Sequence, residues 1–398
     1  MTVKRLIGQA VALALVTVAL SGVALANTQL PSGGASAQPT PAVSPPAGET
    51  TTAPTTPSTT PIVPPVESTP TKPTVRTRLT GLPSGTITDG TAPLRVRLSA
   101  APAPGSPVPM LSPSTVGKWT TVGDYEYFTP KSTLEPCSTY TLTVWAGTTA
   151  TGRLPLGKRR TLTLQVACPS TLALQQSLAR LGYLPYTLHS RYNQNSGKGP
   201  ETRSVAARYL YHPPEGPFKP NVAHAPGLSY SHLDPTTRGA LMVFQSVHGL
   251  SPTGTPDSST WASLLAAGTL GHDDPTPYTF VTVSESIPET LEVHRGHHVV
   301  LTTPANTGVP GAETERGTFP IYSRLTSTTM TGTNPDGSKY SDPGVPWVNY
   351  FNGGDAVHGF PRASYGSPQS NGCVELPIET AGRVFPLLSI GDLVIVSG

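Results

Sequence analysis

Cys373 and His358 are the residues of this chain whose types and spacing best suit covalent chemistry. Cys373 follows Ser370, Asn371 and Gly372, and His358 lies 15 residues upstream within Ala356-Val357-His358-Gly359. A thiol of ordinary pKa near 8.5 is only a few per cent thiolate at neutral pH. A neighbouring imidazole can take its proton. Backbone N–H groups of a tight turn can then hold the oxyanion that forms when a thiol attacks an acyl group. Gly372 gives the chain the freedom for such a turn. A buried structural cysteine is the plainer reading of the same two residues. Cysteine arithmetic bears on the choice. The chain has three cysteines, and Cys137 and Cys168 flank the last two strand-like segments of one region. In an oxidising compartment those two are expected to form a disulfide, closing a loop of about 30 residues and contributing roughly 3–4 kcal/mol. Cys373 is then left over, a candidate reactive thiol.

Other clusters point to structure. His294, His297 and His298 surround Arg295-Gly296. No nearby carboxylate or thiolate completes a ligand set, so the segment reads as a hairpin and no metal is expected. Asp273-Asp274 reads as a solvated linker and Asp336-Gly337 as a turn. There is no glycine-rich phosphate loop and no serine elbow.

The elements that position these residues belong to an exported, multidomain, mainly β chain. Of 398 residues, 46 are Pro, 39 are Gly and only 12% are charged, with a net charge of +3. So small an excess excludes a nucleic-acid reader, which needs a basic patch or stripe. Lys4 and Arg5 precede an apolar run from Leu6 to Leu25, and Ala24-Leu25-Ala26 offers small residues for cleavage after Ala26. Residues 1–26 therefore read as a signal peptide or, uncleaved, an N-terminal anchor, the only expected membrane contact. Residues 27–74 are rich in Pro, Thr and Ser, too poor in apolar surface to fold, and able to stretch on the order of 130 Å as a linker or passive stalk. The chain beyond the signal is expected outside the cytoplasm, secreted, wall-associated or anchored.

Three folded regions are expected after the linker. Residues 75–168 alternate apolar and polar side chains at Leu94–Leu98, Tyr140–Val144 and Thr161–Val166, the pattern of a small β-sandwich. Residues 169–270 turn helical: Leu172, Leu174, Leu178 and Leu181 before Gly182, then Thr236 to His248, then Asp257 to Ala267 with Asp257 or Ser258 as cap. Residues 277–398 return to strands at Phe280–Val283, Leu291–Val293, His298–Leu301 and Leu393–Val396.

Gly317-Thr318-Phe319-Pro320-Ile321, Tyr350 to Gly354, His358-Gly359 and Ser370-Asn371-Gly372-Cys373 occur in an order and spacing that resemble the L,D-transpeptidase (YkuD-type) catalytic domain. Upstream, Trp119, Phe128-Thr129-Pro130 and Tyr140 loosely resemble bacterial immunoglobulin-like domains. Leu174-Gln175, Leu181-Gly182-Tyr183, Ala240 to Gln245, Gly249-Leu250 and Thr253-Gly254 before Trp261 resemble a peptidoglycan-binding domain with an insertion at Pro185–Asp234. A plain three-helix spacer is the alternative for that region.

The resemblance implies a β-rich catalytic domain with Cys373 as nucleophile and His358 as base. It implies that the carbonyl of Gly359 orients the imidazole and that the N–H groups of Asn371, Gly372 and Cys373 form the oxyanion hole. Ser370 is expected to hydrogen-bond within the turn, and Tyr340 to touch substrate from a flap. Asn371 stands where many members have His. Glu375 stands where many have an Arg able to hold an anionic stem peptide, a task open to Arg362 or Arg383. The activity implied is the joining of peptidoglycan stem peptides by 3→3 crosslinks through a thioester. Other acceptors would be water, a D-amino acid or a protein lysine, and a non-catalytic wall-binding protein is the remaining alternative. The implied partners are stem peptides and glycan, with carbapenem β-lactams as inhibitors, and no cofactor is needed.

Overall fold

A computed structural model of the chain describes residues 72–188, 203–213, 218–222 and 225–398. The signal or anchor segment, nearly all of the 27–74 linker and part of the 185–234 insertion lie outside the described residues. Among the described residues no helix is long and apolar enough to cross a membrane.

The first region contains β1 (Leu79–Gly81), β2 (Thr86–Ile87), β3 (Leu94–Leu98), β4 (Met110–Ser112), β5 (Gly117–Val122), β6 (Tyr125–Pro130), β7 (Thr139–Val144) and β8 (Arg160–Val166). They form two four-stranded sheets, ordered β1-β3-β6-β5 and β2-β8-β7-β4. Period-2 patterning decides which side faces in. In β3, Leu94, Val96 and Leu98 are buried while Arg95 and Arg97 face solvent. Phe128, Tyr140, Leu142 and Leu164 complete the core between the sheets. Cys137 and Cys168 are bonded, with Cα atoms 4.4 Å apart.

The second region is helical. Helix α1 (Thr171–Arg180) is capped by Ser170, and the chain leaves it through Gly182 at φ +84°. Strands β9 (Tyr186–Leu188) and β10 (Phe218–Pro220) pair across the insertion, which also carries α2 (Arg203–Tyr211). The sequence pattern marked no helix there. Its apolar stripe is short, and only Ala206, Ala207 and Leu210 are buried from it. Helix α3 (Pro235–Val247) has Asp234 as cap, and α4 (Ser258–Leu270) has Asp257, each carboxylate accepting from a backbone N–H three residues on. Trp261, Phe244, Tyr183 and Leu178 sit at the centre of the core. Asp273 is solvated, but Asp274 is not the free linker residue its neighbourhood suggested. Its N–H donates to the Leu181 carbonyl at 2.7 Å, and burial raises the pKa of its carboxyl.

The third region contains β11 (Thr279–Ser284), β12 (Thr290–Arg295), β13 (His298–Pro304), β14 (Gly317–Pro320), β15 (Ser323–Thr333), β16 (Lys339–Asn352), β17 (Asp355–Gly359), β18 (Val374–Leu376), α5 (Ile378–Val384) and β19 (Leu393–Ser397). One sheet has the order β13-β12-β11-β19-β14, the other β15-β16-β17-β18. Val281, Val283 and Leu291 from the first sheet and Val357, Val374 and Leu376 from the second share one core with Ala381 and Val384 of α5. The histidine-rich segment is the β12–β13 hairpin. His294 stacks on Phe280 at 4.4 Å between ring centroids and shares a hydrogen bond with Thr282.

Among the described residues, contacts between the regions include an ion pair and a close backbone approach. Arg203 of α2 pairs with Glu135 of the first region at 2.7 Å. Gly239 of α3 packs against Gly391 just before β19, so closely that a Cβ on Gly239 would lie 2.5 Å from the Gly391 carbonyl oxygen.

Candidate active site

The parallel pairing of β17 with β18 closes the 15-residue gap between the candidate base and the candidate thiol. Val357 lies opposite Val374 and His358 opposite Glu375. Val357 and Val374 point into the core. Alternation therefore sends His358 and Glu375 to the other face, and Cys373, one residue before β18, belongs to that face as well.

The turn that delivers Cys373 is built on Ser370 and Gly372. Ser370 is 2% exposed. Its hydroxyl donates to the Cys373 carbonyl at 2.5 Å and accepts from the Gly372 N–H at 3.2 Å. Gly372 has φ +108°, and a Cβ there would lie 2.5 Å from Asp355 Oδ1, so both conformation and space demand glycine. The Gly372 N–H, expected from sequence to face an oxyanion, is engaged by Ser370 inside the turn.

His358 is 3% exposed, with Nδ1 3.0 Å from the Gly359 carbonyl oxygen. A carbonyl only accepts, so Nδ1 carries the proton of the neutral ring and Nε2 is left with its lone pair. Burial lowers the His358 pKa, which keeps the ring neutral and able to take a proton. Cys373 is half-buried. Burial pushes its thiol up to about 12, with the Asp355 and Glu375 carboxylates adding to the rise and a hydrogen bond from the Ala356 backbone opposing it. At rest the thiol and the imidazole on this sheet face are thus both neutral.

Three tyrosines gather near the thiol. Tyr322, Tyr340 and Tyr350 have hydroxyls whose pKa is raised first by burial and then by neighbouring charges that include Cys373. Tyr322 and Tyr350 stack with centroids 6.1 Å apart. Tyr340 lies opposite Gly332 in the β15–β16 hairpin, and its ring occupies the space a Cβ on Gly332 would need. At the tip of that hairpin Asn334 Oδ1 accepts from Asn371 Nδ2 at 2.7 Å, so the hairpin touches the turn that carries Cys373. Of these groups the sequence singled out Tyr340 and Asn371. Tyr322, Asn334 and Asp355 carried no local signal. Tyr350 opens the Tyr350–Gly354 motif but was not marked as a wall of the site. Burial and Glu315 raise the Asp355 carboxyl to about 6.

Residues 278–396 match the family model of the L,D-transpeptidase catalytic domain, and residues 214–264 match that of a putative peptidoglycan binding domain. The chain carries an L,D-transpeptidase catalytic domain. Solved structures similar to it include the catalytic domain of an E. faecium L,D-transpeptidase, 24% identical over 31% of this chain and 100% of that one, with a TM-score of 0.28. An L,D-transpeptidase from Mycobacterium smegmatis is 13% identical, covering 82% of this chain and 100% of that one, with a TM-score of 0.27. L,D-transpeptidase 3 from Mycobacterium tuberculosis, in complex with a faropenem-derived adduct, is 14% identical over 81% of this chain and 97% of that one, with a TM-score of 0.28. No curated protein matches the chain.

Within this L,D-transpeptidase domain, Glu375 does not present a bare carboxylate. It is 4% exposed. Arg362 grips it with Nε and Nη2, each 2.7 Å from a carboxylate oxygen. Arg383, the other arginine considered from sequence, lies exposed in the last turn of α5.

Proposed function

We propose that the protein is a cysteine-dependent L,D-transpeptidase that joins peptidoglycan stem peptides by 3→3 crosslinks through a thioester. The observation that carries this reading is a glycine turn holding Cys373 on the sheet face that also bears His358, whose Nδ1 is committed to the Gly359 carbonyl. The acyl donor is a tetrapeptide stem, and the bond broken lies between its diamino acid and the terminal D-Ala.

In the first half-reaction Cys373 Sγ attacks the carbonyl of the diamino acid while His358 Nε2 takes the thiol proton. Proton transfer concerted with attack suits a thiol whose free thiolate is costly. The N–H groups of Asn371 and Cys373 are assigned to the oxyanion, while Ser370 holds the turn. As the tetrahedral species collapses, the imidazolium returns its proton to the departing amine of D-Ala, and a thioester remains. In the second half-reaction the side-chain amine of a neighbouring stem attacks the thioester. His358 accepts a proton from it, and the thiol is restored. One amide is exchanged for another, so the sum is near thermoneutral and no cofactor is required. Tyr340, on the flap, is assigned to substrate contact. A peptidoglycan substrate places the work outside the cytoplasm, and the domain similar to peptidoglycan-binding modules is assigned to wall attachment.

The test is intact-protein mass after incubation with a carbapenem, for wild type and Cys373→Ala. An adduct on wild type alone supports the nucleophile; an equal adduct on the variant sinks it. Stem tetrapeptides then report the acceptor, because a product pool without crosslinked dimers rejects transpeptidation.

A further inference from the structure

We propose that Arg362 is a positioning residue for the reaction: with Glu375 it removes a buried negative charge from beside His358 and ties the approach to the Cys373 turn to strand β18. This rests on the acyl-transfer reading above and adds to it a residue that acts through Glu375 and the turn.

The chain leaves β17 in extended form, and side chains two residues apart fall on one side. Phe360 meets His358 edge-on, with centroids 6.0 Å apart and planes at 82°. The Arg362 guanidinium carbon lies 4.8 Å from the Phe360 centroid. Across the sheet, Glu375 is the strand neighbour of His358, and neighbouring strands run only about 4.8 Å apart. The ion pair and the imidazole therefore share one small face.

The pairing is bidentate, the geometry in which Arg and carboxylate bind most strongly. Arg362 Nη2 also donates to the Gln369 carbonyl at 2.9 Å. Gln369 immediately precedes Ser370, so one guanidinium fastens the strand after Cys373 and the segment before it to the same point.

Charge gives the pair its second task. The described charged groups acting on His358 are Glu375 from β18, Asp342 from β16 and Arg362 from the segment after β17. Two are negative. A buried carboxylate left alone beside the ring would favour imidazolium, which has no lone pair for the thiol proton. Arg362 neutralises the one on the neighbouring strand β18, and His358 and Glu375 are both buried.

The experiment measures the rate of carbapenem acylation at Cys373 against pH, using the intact chain. Wild type is compared with Arg362→Gln, Glu375→Gln, Arg362→Lys and the double Arg362→Gln/Glu375→Gln, with thermal melting as a check on folding. Arg362→Gln is expected to move the acid limb up by roughly one pH unit or more, since charges at such range shift a pKa by about 1–3 units. Glu375→Gln is expected to move it down. The double variant and Arg362→Lys should return it towards wild type. Rates that fall with the limb unmoved would assign the pair to packing alone and overturn the proposal, as would shifts of the same sign in both single variants. If Arg362→Gln fails to fold, an unmoved limb in Glu375→Gln overturns it. Absence of acylation in wild type would instead refute the acyl-transfer reading itself.

Discussion

Replacing Ser370 by alanine deletes one oxygen that serves two backbone groups. The hydroxyl donates to the Cys373 carbonyl at 2.5 Å and accepts from the Gly372 N–H at 3.2 Å, in a side chain only 2% exposed. Each buried backbone group left unpaired costs about 1–3 kcal/mol. Asn371 in the same turn is exposed and Cys373 partly so, and water can reach part of the vacated space, which puts the sum near the lower end, about 2–4 kcal/mol. That sum has two outlets. If the turn holds its shape, the loss appears as lower stability. If the turn relaxes to find other partners, Cys373 moves, and at 1.36 kcal/mol per factor of ten the acylation rate falls by roughly 30- to 1000-fold. The expected result is a combination: acylation down at least about tenfold and the remainder seen in urea unfolding. Ser370→Thr keeps the hydroxyl and should stay within a few-fold of wild type. The assay is the rate of carbapenem adduct formation by intact mass, with unfolding curves on the same samples. An alanine variant that acylates within about threefold of wild type and unfolds within about 0.5 kcal/mol of it would refute the reasoning, because neither outlet would carry the cost.

Four further outcomes are expected. Acylation should follow the deprotonation of His358, with its midpoint below the ordinary histidine value near 6.5 because burial lowers it. A rate that tracks thiol ionisation, which burial delays to about 12, would contradict base-assisted attack. Asp392, buried beside β19 and pushed up to about 8 by desolvation, resists ionising in the folded chain while the unfolded chain ionises near about 4. Stability should therefore decline as pH rises from about 4 to 8, and Asp392→Asn should flatten the melting temperature over that range; parallel curves would argue otherwise. Removing the Cys137–Cys168 bond, which closes a separation of 31 residues, should lower stability by roughly 3–4 kcal/mol in urea unfolding. Gly239→Ala would place a Cβ 2.5 Å from a backbone oxygen that cannot step aside, and calorimetry should show the junction between α3 and β19 weakened by about 1–3 kcal/mol.

What the sequence disclosed followed the range of each interaction. Leu94–Leu98 shows its burial in its own alternation, and Asp257 announces a helix start through a hydrogen bond three residues long. The expectation for His358 and Cys373 could be framed from sequence because the motif around them is local, and the parallel β17–β18 pairing places both on one sheet face. Tyr322 and Asn334 were not legible, because the long β15–β16 hairpin and its tip bring them to the site, and a one-residue slip in register would have sent other side chains there. Glu375 was the more instructive case. On sequence it looked opposed to an anionic substrate, since nothing in its neighbours reveals that Arg362, thirteen residues earlier, reaches both of its oxygens. Helix α2 escaped notice for a different reason: with Ala206 and Ala207 supplying most of its buried side, it depends on the rest of the core for its stability.

The meeting of Gly239 with Gly391 has a geometric corollary. Backbone touches backbone there, with a Cβ on Gly391 landing 2.7 Å from the Val243 nitrogen. A joint made of main chain has no slack for a swivel. Any surface that captures the helical region therefore also sets the bearing of the Cys373 turn. Under the proposed function, the offset from a wall strand held there to the thiol would be a constant of the molecule, which would then work as a gauge and meet its substrate at a fixed pitch from where it holds on.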